Sequence, residues 1–497
     1  MRITPAIGRP IKNNKNLLMK NKTRQGKILI LLFLFVLGLS SWKMQSQASM
    51  EKPNIVIILA DDMGWGDVGF HGSEIMTPNL NKLANEGVIL NHFYTAPVCS
   101  PTRAGLMTGR YPNRFGLRET VVPPWSEFGV DLDEKFLPEY LEEAGYKHRS
   151  ALGKWHLGHA KREFLPLERG FTHFYGHYNG AIDYFTHIRE GELDWHDDWE
   201  TSRDKGYSTD LITDKAVENI KEFSKDSPFF IYVAYNAPHG PLQAKKEDLI
   251  LYGYDETKPT IGKNSGEGSQ GKGNTQRQTY SAMVTNMDRG IGRILDELRN
   301  QGIEENTLVL FFSDNGAAPE GGGSSGALRG TKFQEWDGGV RSPAVIKWPA
   351  GFEGGKRVDQ LTGYIDVLPT LMGVINIEDT NPMPLDGINI LPILKSQKDL
   401  VQRDFYLGYG SMLYDQWKLV KANSGNNRMK NKEDQLFEIL LDSTESNNKK
   451  NKFPEAYHNL LQKVENYDSI KPTKSVPPYG EGRKGFKAPK DWRIGKE

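Results

Sequence analysis

Cysteine is nearly missing from this chain: Cys99 is the only one in 497 residues. An intrachain disulfide framework is therefore excluded, and the fold must rest on its core and on any metal its side chains hold. Net charge is missing as well. Lys+Arg and Asp+Glu each number 63, so there is no basic excess of the kind that marks a nucleic-acid partner. Long apolar runs are also scarce. Residues 28–39 are almost uninterruptedly apolar, but a bilayer span takes roughly 20 residues. That run follows a Lys/Arg-rich stretch and precedes Ser46-Gln47-Ala48, a small-residue cleavage candidate. The pattern predicts a signal peptide over residues 1–48, with an uncleaved amphipathic anchor as the alternative and Met19 as an alternative start. No cysteine lies nearby, which excludes a lipid-anchored lipoprotein. The expected location is periplasmic or secreted, with no stable membrane span after cleavage.

At 37% hydrophobic and 25% charged residues, the remainder has ample core for one large α/β domain and a smaller one. Residues 55–60, 229–235 and 307–312 are continuous apolar runs. Unbroken rather than alternating hydrophobicity marks strands covered on both faces. Each run ends in polar groups: Asp61-Asp62, Asn236-Ala237-Pro238-His239 and Ser313-Asp314-Asn315-Gly316. Open α/β sheets place their ligands at such carboxyl ends. Helices are expected over 136–144 and 211–223. Val284, Met287, Ile291, Ile294, Leu295 and Leu298 form a third helical stripe, read as core packing. Residues 257–278 read as a mobile surface loop, and 321–326 as a flexible Gly/Ser loop rather than a phosphate cradle. Beyond Leu391-Pro392 the texture changes to short strands at 404–408, 417–421 and 435–440, then a helix from Phe453-Pro454 towards Tyr467. The expected division is a catalytic domain over 50–395, an α+β subdomain with an antiparallel sheet over 396–470, and a tail over 471–497 that offers no core.

Four groups of residues carry chemistry. Asp61, Asp62, Asp314 and Asn315 supply hard oxygen ligands suited to Ca²⁺ or Mg²⁺, without the His/Cys set that zinc prefers. Cys99 sits in Cys99-Ser100-Pro101-Thr102-Arg103. A lone cysteine is most simply an inert small hydrophobe, but such a residue needs neither the helix-starting Pro101 nor the permanent cation Arg103. In Gly153-Lys154-Trp155-His156-Leu157-Gly158, Lys154 and His156 share one face of an extended segment. Residues 171–199 are dense in histidines and aromatics, among them His173, His177, Asp183, Tyr184 and His187. Aromatic faces with His/Asp donors suit sugar rings, although about half of such residues serve simply as core.

The run Cys99-x-Pro101-x-Arg103, continuing Ala104-Gly105-Leu106 to Thr108-Gly109-Arg110, closely resembles the signature of type I sulfatases of the alkaline-phosphatase-like superfamily, and the string 153–158 resembles that family's second motif. The resemblance implies an α/β fold with a large mixed, mostly parallel sheet flanked by helices, and a smaller C-terminal α+β subdomain. It implies that Cys99 is converted to formylglycine by a formylglycine-generating or anaerobic sulfatase-maturating enzyme. One Ca²⁺ is then held by Asp61, Asp62, Asp314, Asn315 and modified Cys99. Arg103, Lys154 and Lys332 neutralise the sulfate, Asp314 takes the proton of the attacking gem-diol, His239 with Lys332 protonates the leaving oxygen, and His156 drives the elimination. Thr331 and Phe333 depart from the commoner small residues around Lys332, which touches pocket shape. The pattern Gly170-Phe171, Phe174-Tyr175-Gly176 and Asp183-Tyr184-Phe185 resembles bacterial glycan sulfatases. The expected activity is removal of sulfate from a sulfated polysaccharide or its oligosaccharides, with galactose or N-acetylgalactosamine sulfates favoured. The alternatives are an arylsulfatase, a formylglycine-dependent phosphate or phosphonate monoesterase, and a non-catalytic glycan-binding homologue.

Overall fold

The computed structural model describes residues 51–494 except 119, 227, 263–265 and 380, so the expected signal peptide lies outside the described residues. The organising element is a ten-stranded mixed sheet. In chain order its strands are β1 (Asn54–Ala60), β2 (Val88–Leu90), β3 (His148–Lys154), β4 (His173–His177), β5 (His196–Asp197), β6 (Glu200–Thr201), β7 (Phe229–Ala234), β8 (Thr307–Ser313), β9 (Ala344–Lys347) and β10 (Lys356–Val358). They lie side by side as β10-β2-β9-β8-β1-β7-β3-β4-β5-β6. The five central strands, β8, β1, β7, β3 and β4, are all parallel. Antiparallel pairs are confined to the flanks, at β8–β9, β9–β2, β4–β5 and β5–β6.

Every residue of β1, β7 and β8 is buried, as their unbroken apolar runs predict for strands sandwiched between layers. One layer contains α1 (Pro78–Glu86), α3 (Ser208–Phe223) and α4 (Gln276–Asn300). These pack against the Val56, Ile58, Ile231 and Val233 face. The opposite face, with Ile55, Ile57, Phe230 and Tyr232, meets α2 (Cys99–Thr108) and merges into the core of the C-terminal subdomain. All ten residues of α2 are buried, and Gly109, at φ 67°, closes the helix in the left-handed conformation that favours glycine. Among the described residues no helix is long and apolar enough to cross a membrane.

The C-terminal subdomain has a four-stranded antiparallel sheet, β11 (Asp404–Gly408), β12 (Ser411–Tyr414), β13 (Trp417–Val420) and β14 (Gln435–Glu438), with helix α5 (Pro454–Asp468). Strand β12 was not expected from the sequence. Its start is hidden by Gly408 and Gly410, which read as turn punctuation, and a bulge interrupts the register there.

Two further expectations are corrected. Helix α4 begins at Gln276, inside the stretch read as a mobile loop, and that stretch is tied back by Ala244 N to Gly271 O and by Ile261 N to Gly273 O. The tail does contribute core: Trp492 is 1% exposed and Val476 8%. The indole of Trp492 donates to Arg189 O at 2.9 Å, and Asp491 pairs with Arg203 at 2.8 Å. A buried tryptophan offsets the ordering cost that the tail's Pro/Gly/Lys composition alone would not repay.

Candidate active site

The sheet delivers its polar residues to one point. Ala60 pairs with Ser313, and Leu59 with Ala234, which in turn pairs with Gly153. The residues that follow, Asp61-Asp62, Asp314-Asn315 and Lys154, therefore emerge side by side at the carboxyl edge, as the topology of an open α/β sheet requires. His239 arrives from the loop after β7. Residue 99, the first of α2, faces this edge from the adjacent layer.

Charges of both signs interlock there, all of them buried. Lys154 Nζ lies 2.5 Å from Asp61 Oδ2, and Lys332 Nζ lies 2.6 Å from Asp62 Oδ1. Arg103 donates from Nε to Asp314 Oδ2 at 3.0 Å and from its NH1 group to Lys154 O at 2.9 Å. Asn315 Nδ2 donates to Asp62 Oδ1 at 2.8 Å, and the backbone N of Asp62 donates to Asp314 Oδ1 at 3.2 Å. Asp61 Oδ1 and Asn315 Oδ1 are buried with no hydrogen-bond partner. Buried acceptors normally find donors, so two open oxygens among three carboxylates form the donor set a hard cation seeks. Ligand atoms of Asp61, Asp62 and His239, and separately of Asp61, Cys99 and Asp314, lie within 4.8 Å of one another.

Titration follows from this crowding. Burial and the neighbouring Asp61 push Asp314 up to about 6, against Arg103 and Lys154. Burial would raise Asp62 also, but Lys332 and His239 outweigh it and hold its carboxyl far below the usual range. Burial pushes the Cys99 thiol up, against Lys154 and Lys332. His156 is driven well down by burial and by Lys154 and Arg103.

The two histidines are held by backbone carbonyls. His156 Nε2 lies 3.1 Å from Val122 O, so Nε2 carries the proton and Nδ1 is the acceptor, 3.4 Å from Cys99 Sγ. Gly180 is required beside it, because a Cβ there would meet His156 Cε1 at 2.3 Å. His239 Nδ1 donates to Gly240 O at 2.6 Å, leaving Nε2 3.6 Å from Asp62 Oδ2. His156 and Asp62 adopt positive φ, 63° and 68°. Such non-glycine residues cost on the order of 1–3 kcal/mol each and cluster where function demands them.

The sulfatase family model matches residues 53–377, most of the chain. The chain belongs to the sulfatase family. Mouse arylsulfatase J is 34% identical over 351 residues, covering 69% of this chain and 56% of that protein. Human N-acetylgalactosamine-6-sulfatase is 33% identical over 388 residues, covering 73% of this chain and 70% of that protein. The crystal structure of Ps i-CgsB in complex with k-i-k-neocarrahexaose aligns with a TM-score of 0.75 at 30% identity, covering 86% of this chain and 95% of that one. The protein is accordingly a sulfuric ester hydrolase with the alkaline-phosphatase-like architecture.

Above Cys99 this sulfatase has a cavity of about 1000 Å³, lined in part by His156, Val122, Gly180, His239, Phe333 and Tyr479. None of the five residues singled out for sugar binding is among its lining residues, and each has a structural role. His173 sits at the amino end of β4, opposite Ser150, with its ring on Phe223. His177 is fully buried and donates from Nδ1 to Asn179 O at 2.8 Å. His187 stacks on Trp195 and contacts Gly206 O from Nε2 at 3.2 Å. Asp183 accepts from the backbone of Phe185, Thr186 and Gly268 and from Gln243. Tyr184 donates to Asn236 O and contacts His239 O, bracing the His239 loop from behind. Composition identified the right neighbourhood, but not which face of each segment turned to the cavity.

Arg189, Arg428, Tyr479 and Arg483 line the cavity and were missed. They come from a hairpin, an inter-strand loop and the tail, where no periodicity marks them. Phe333, noted as a departure near Lys332, is a lining residue, with the Arg428 guanidinium 4.3 Å above its ring.

Proposed function

We propose that this sulfatase removes sulfate from a sulfated polysaccharide or its oligosaccharides, with galactose- or N-acetylgalactosamine-type sulfates favoured, using Cys99 converted to formylglycine and one calcium ion. The observation that carries the reading is the position of Cys99, at the base of a cavity of about 1000 Å³ and within 3.4 Å of His156 Nδ1. That volume admits a sugar ring and more. N-Acetylgalactosamine-6-sulfatase among the relatives, and an oligosaccharide-bound structure among the neighbours, support a glycan substrate.

The residues fit the cation. Asp61, Asp62, Asp314 and Asn315 would hold calcium, with the two open oxygens of Asp61 and Asn315 as ready donors; when bound it supplies Lewis-acid neutralisation of sulfate oxygens. Residue 99, once converted, supplies a hydrated aldehyde, a nucleophile that can also let its sulfate go.

The chain's own groups do the rest. Arg103, Lys154 and Lys332, all buried, place three positive charges where the ester's negative charge must be held. Arg103 also fixes Asp314, the group assigned to the attacking proton, through a two-pronged ion pair at 3.0 and 2.9 Å. His156 presents Nδ1, an acceptor locked by the Val122 carbonyl, to the side chain at residue 99. It is placed to take the proton whose loss returns residue 99 to its starting form. His239 and Lys332 stand together at Asp62 as the pair assigned to the leaving oxygen, with Lys332, held charged by Asp62, carrying the proton it takes. Export and cleavage after residue 48, and a maturation enzyme acting on Cys99, complete the proposal.

The test is sulfate release from a panel of defined sulfated oligosaccharides by matured protein with calcium, alongside peptide mass over residues 90–110. Release from galactose- or N-acetylgalactosamine-type sulfates is expected. Turnover confined to small aryl sulfates or to phosphate esters would overturn the reading, as would full activity with an unaltered thiol at residue 99.

A further inference from the structure

Three arginines that the catalytic machinery does not use converge on the cavity above Cys99. Arg189 lies in the small hairpin Ile188–Arg189 with Glu192–Leu193, Arg428 in the loop between β13 and β14, and Arg483 in the tail. They come from three separate segments of the chain, so their meeting is a property of the fold.

Arg428 and Arg483 take part in no ion pair among the described residues, whereas most buried and half-buried arginines of this protein hold a carboxylate or several carbonyls. Both are exposed, yet both are laid on aromatic faces: Arg428 over Phe333 at 4.3 Å, and Arg483 over Trp125 at 5.0 Å. The Trp125 ring is itself fixed, with Nε1 donating to Tyr479 O at 2.9 Å. Stacking limits where a guanidinium can wander while leaving its N–H edge open, which is the arrangement suited to two-pronged recognition of an oxyanion.

Arg189 is held differently. Its carbonyl accepts from the Trp492 indole at 2.9 Å, its Nε is buried without a partner, and one terminal nitrogen lies 3.6 Å from Glu190. The lining carboxylates are Glu190, which lies 3.6 Å from Arg189, and Glu267.

We propose that Arg428 and Arg483, supported by Arg189, form a second anion subsite that binds a sulfate ester on the sugar next to the one being hydrolysed. This deepens the glycan reading and rests on it. The subsite touches neither residue 99 nor the metal ligands, so it acts on the choice of substrate rather than on bond cleavage. It makes the tail a specificity element, since Arg483 and Tyr479 both belong to it.

The experiment compares matured wild-type enzyme with Arg428→Gln, Arg483→Gln and the double variant. The substrates are a monosulfated disaccharide, the same disaccharide with a second sulfate on the neighbouring sugar, the same with a uronate there, and a small aryl sulfate. Expected is a preference of wild type for the disulfated over the monosulfated disaccharide of about tenfold in kcat/KM, expressed in KM and weakened by salt. The double variant should lose it to within about threefold, with kcat and aryl sulfate turnover unchanged. No preference in wild type, a preference that survives the double replacement, or one for the uronate alone would overturn the subsite while leaving glycan hydrolysis intact. Turnover of the aryl sulfate with no glycan cleaved would overturn both it and the glycan reading.

Discussion

Two buried charge clusters in this protein are built from the same side chains and left in opposite states. At the junction between the sheet and the C-terminal subdomain, Lys418 Nζ lies 2.7 Å from Asp337 Oδ1 and 2.8 Å from Glu445 Oε1. Glu445 Oε2 accepts the backbone N of Asp337 at 2.7 Å, and Tyr94 donates to Asp337 Oδ2 at 3.1 Å. In that cluster each carboxylate is ion-paired to Lys418, Glu445 Oε1 having that ion pair as its contact and no hydrogen bond. At the carboxyl edge of the sheet, Asp61, Asp62 and Asp314 face Arg103, Lys154 and Lys332, three charges of each sign, yet Asp61 Oδ1 and Asn315 Oδ1 remain open. The difference teaches what each is for. In the first cluster every carboxylate oxygen lies against a cation or a donor within the cluster, whereas in the second two oxygens face no partner and are left for a group from outside.

The comparison can be broken in several ways. Cys99→Ala is expected to cost about 10³-fold or more in sulfate release with little change in thermal stability, because the group removed is small. Retention of wild-type turnover would sink the assignment. Lys418→Met should do the reverse, destabilising the fold by about 3–5 kcal/mol, since it strands two buried carboxylates; chemical denaturation measures this, and kcat should change far less than stability. Calcium separates the clusters further. It should raise the wild-type midpoint by an amount equivalent to about 2.7 kcal/mol at 100 times its Kd. Asp61→Asn should abolish that shift and Lys418→Met should preserve it; equal shifts in both variants would contradict the distinction.

The smallest effect concerns Glu335, buried near the Lys332 loop and bonded to Asn426 Nδ2 at 2.9 Å. Burial pushes it up to about 8, against that hydrogen bond. A carboxyl whose folded value is raised binds its proton more tightly when folded. Its contribution is therefore fully present below the unfolded value near 4.5 and is lost as pH rises towards about 8. Glu335→Gln should flatten the decline in stability between pH 5 and 8, and denaturation curves across that window would show an unchanged slope if Glu335 were already charged.

Much of the fold was legible because the central strands leave no ambiguity. Residues 55–60, 229–235 and 307–312 are too apolar to be anything but doubly covered, and their polar termini declared the ligand edge before any geometry was known. The same logic singled out Asp61, Asp62, Asp314, Asn315 and His239, which the structure brings together at that edge. Cys99, Lys154 and Lys332 needed motif context as well. The reading failed where burial is decided by partners far away. His177 and Asp183 look like sugar ligands in sequence, but His177 is fully buried with Nδ1 on Asn179 O, and Asp183 is held by Gln243 and Gly268. Arg483 and Trp492 look like linker, and it is distant partners that hold them, Trp125 under Arg483 and the hairpin at residues 188–193 with His159 against Trp492.

The burial of α2 imposes an order of events on biosynthesis. Ser100, Thr102 and Arg103 are all 0% exposed, so an enzyme that recognises the peptide around residue 99 can grip it only while the chain is still open. The wall of the cavity that carries Tyr479 and Arg483 comes from a segment far downstream of residue 99. On the proposed conversion, residue 99 is altered before α2 packs, and a molecule that folds first is locked out of that chemistry.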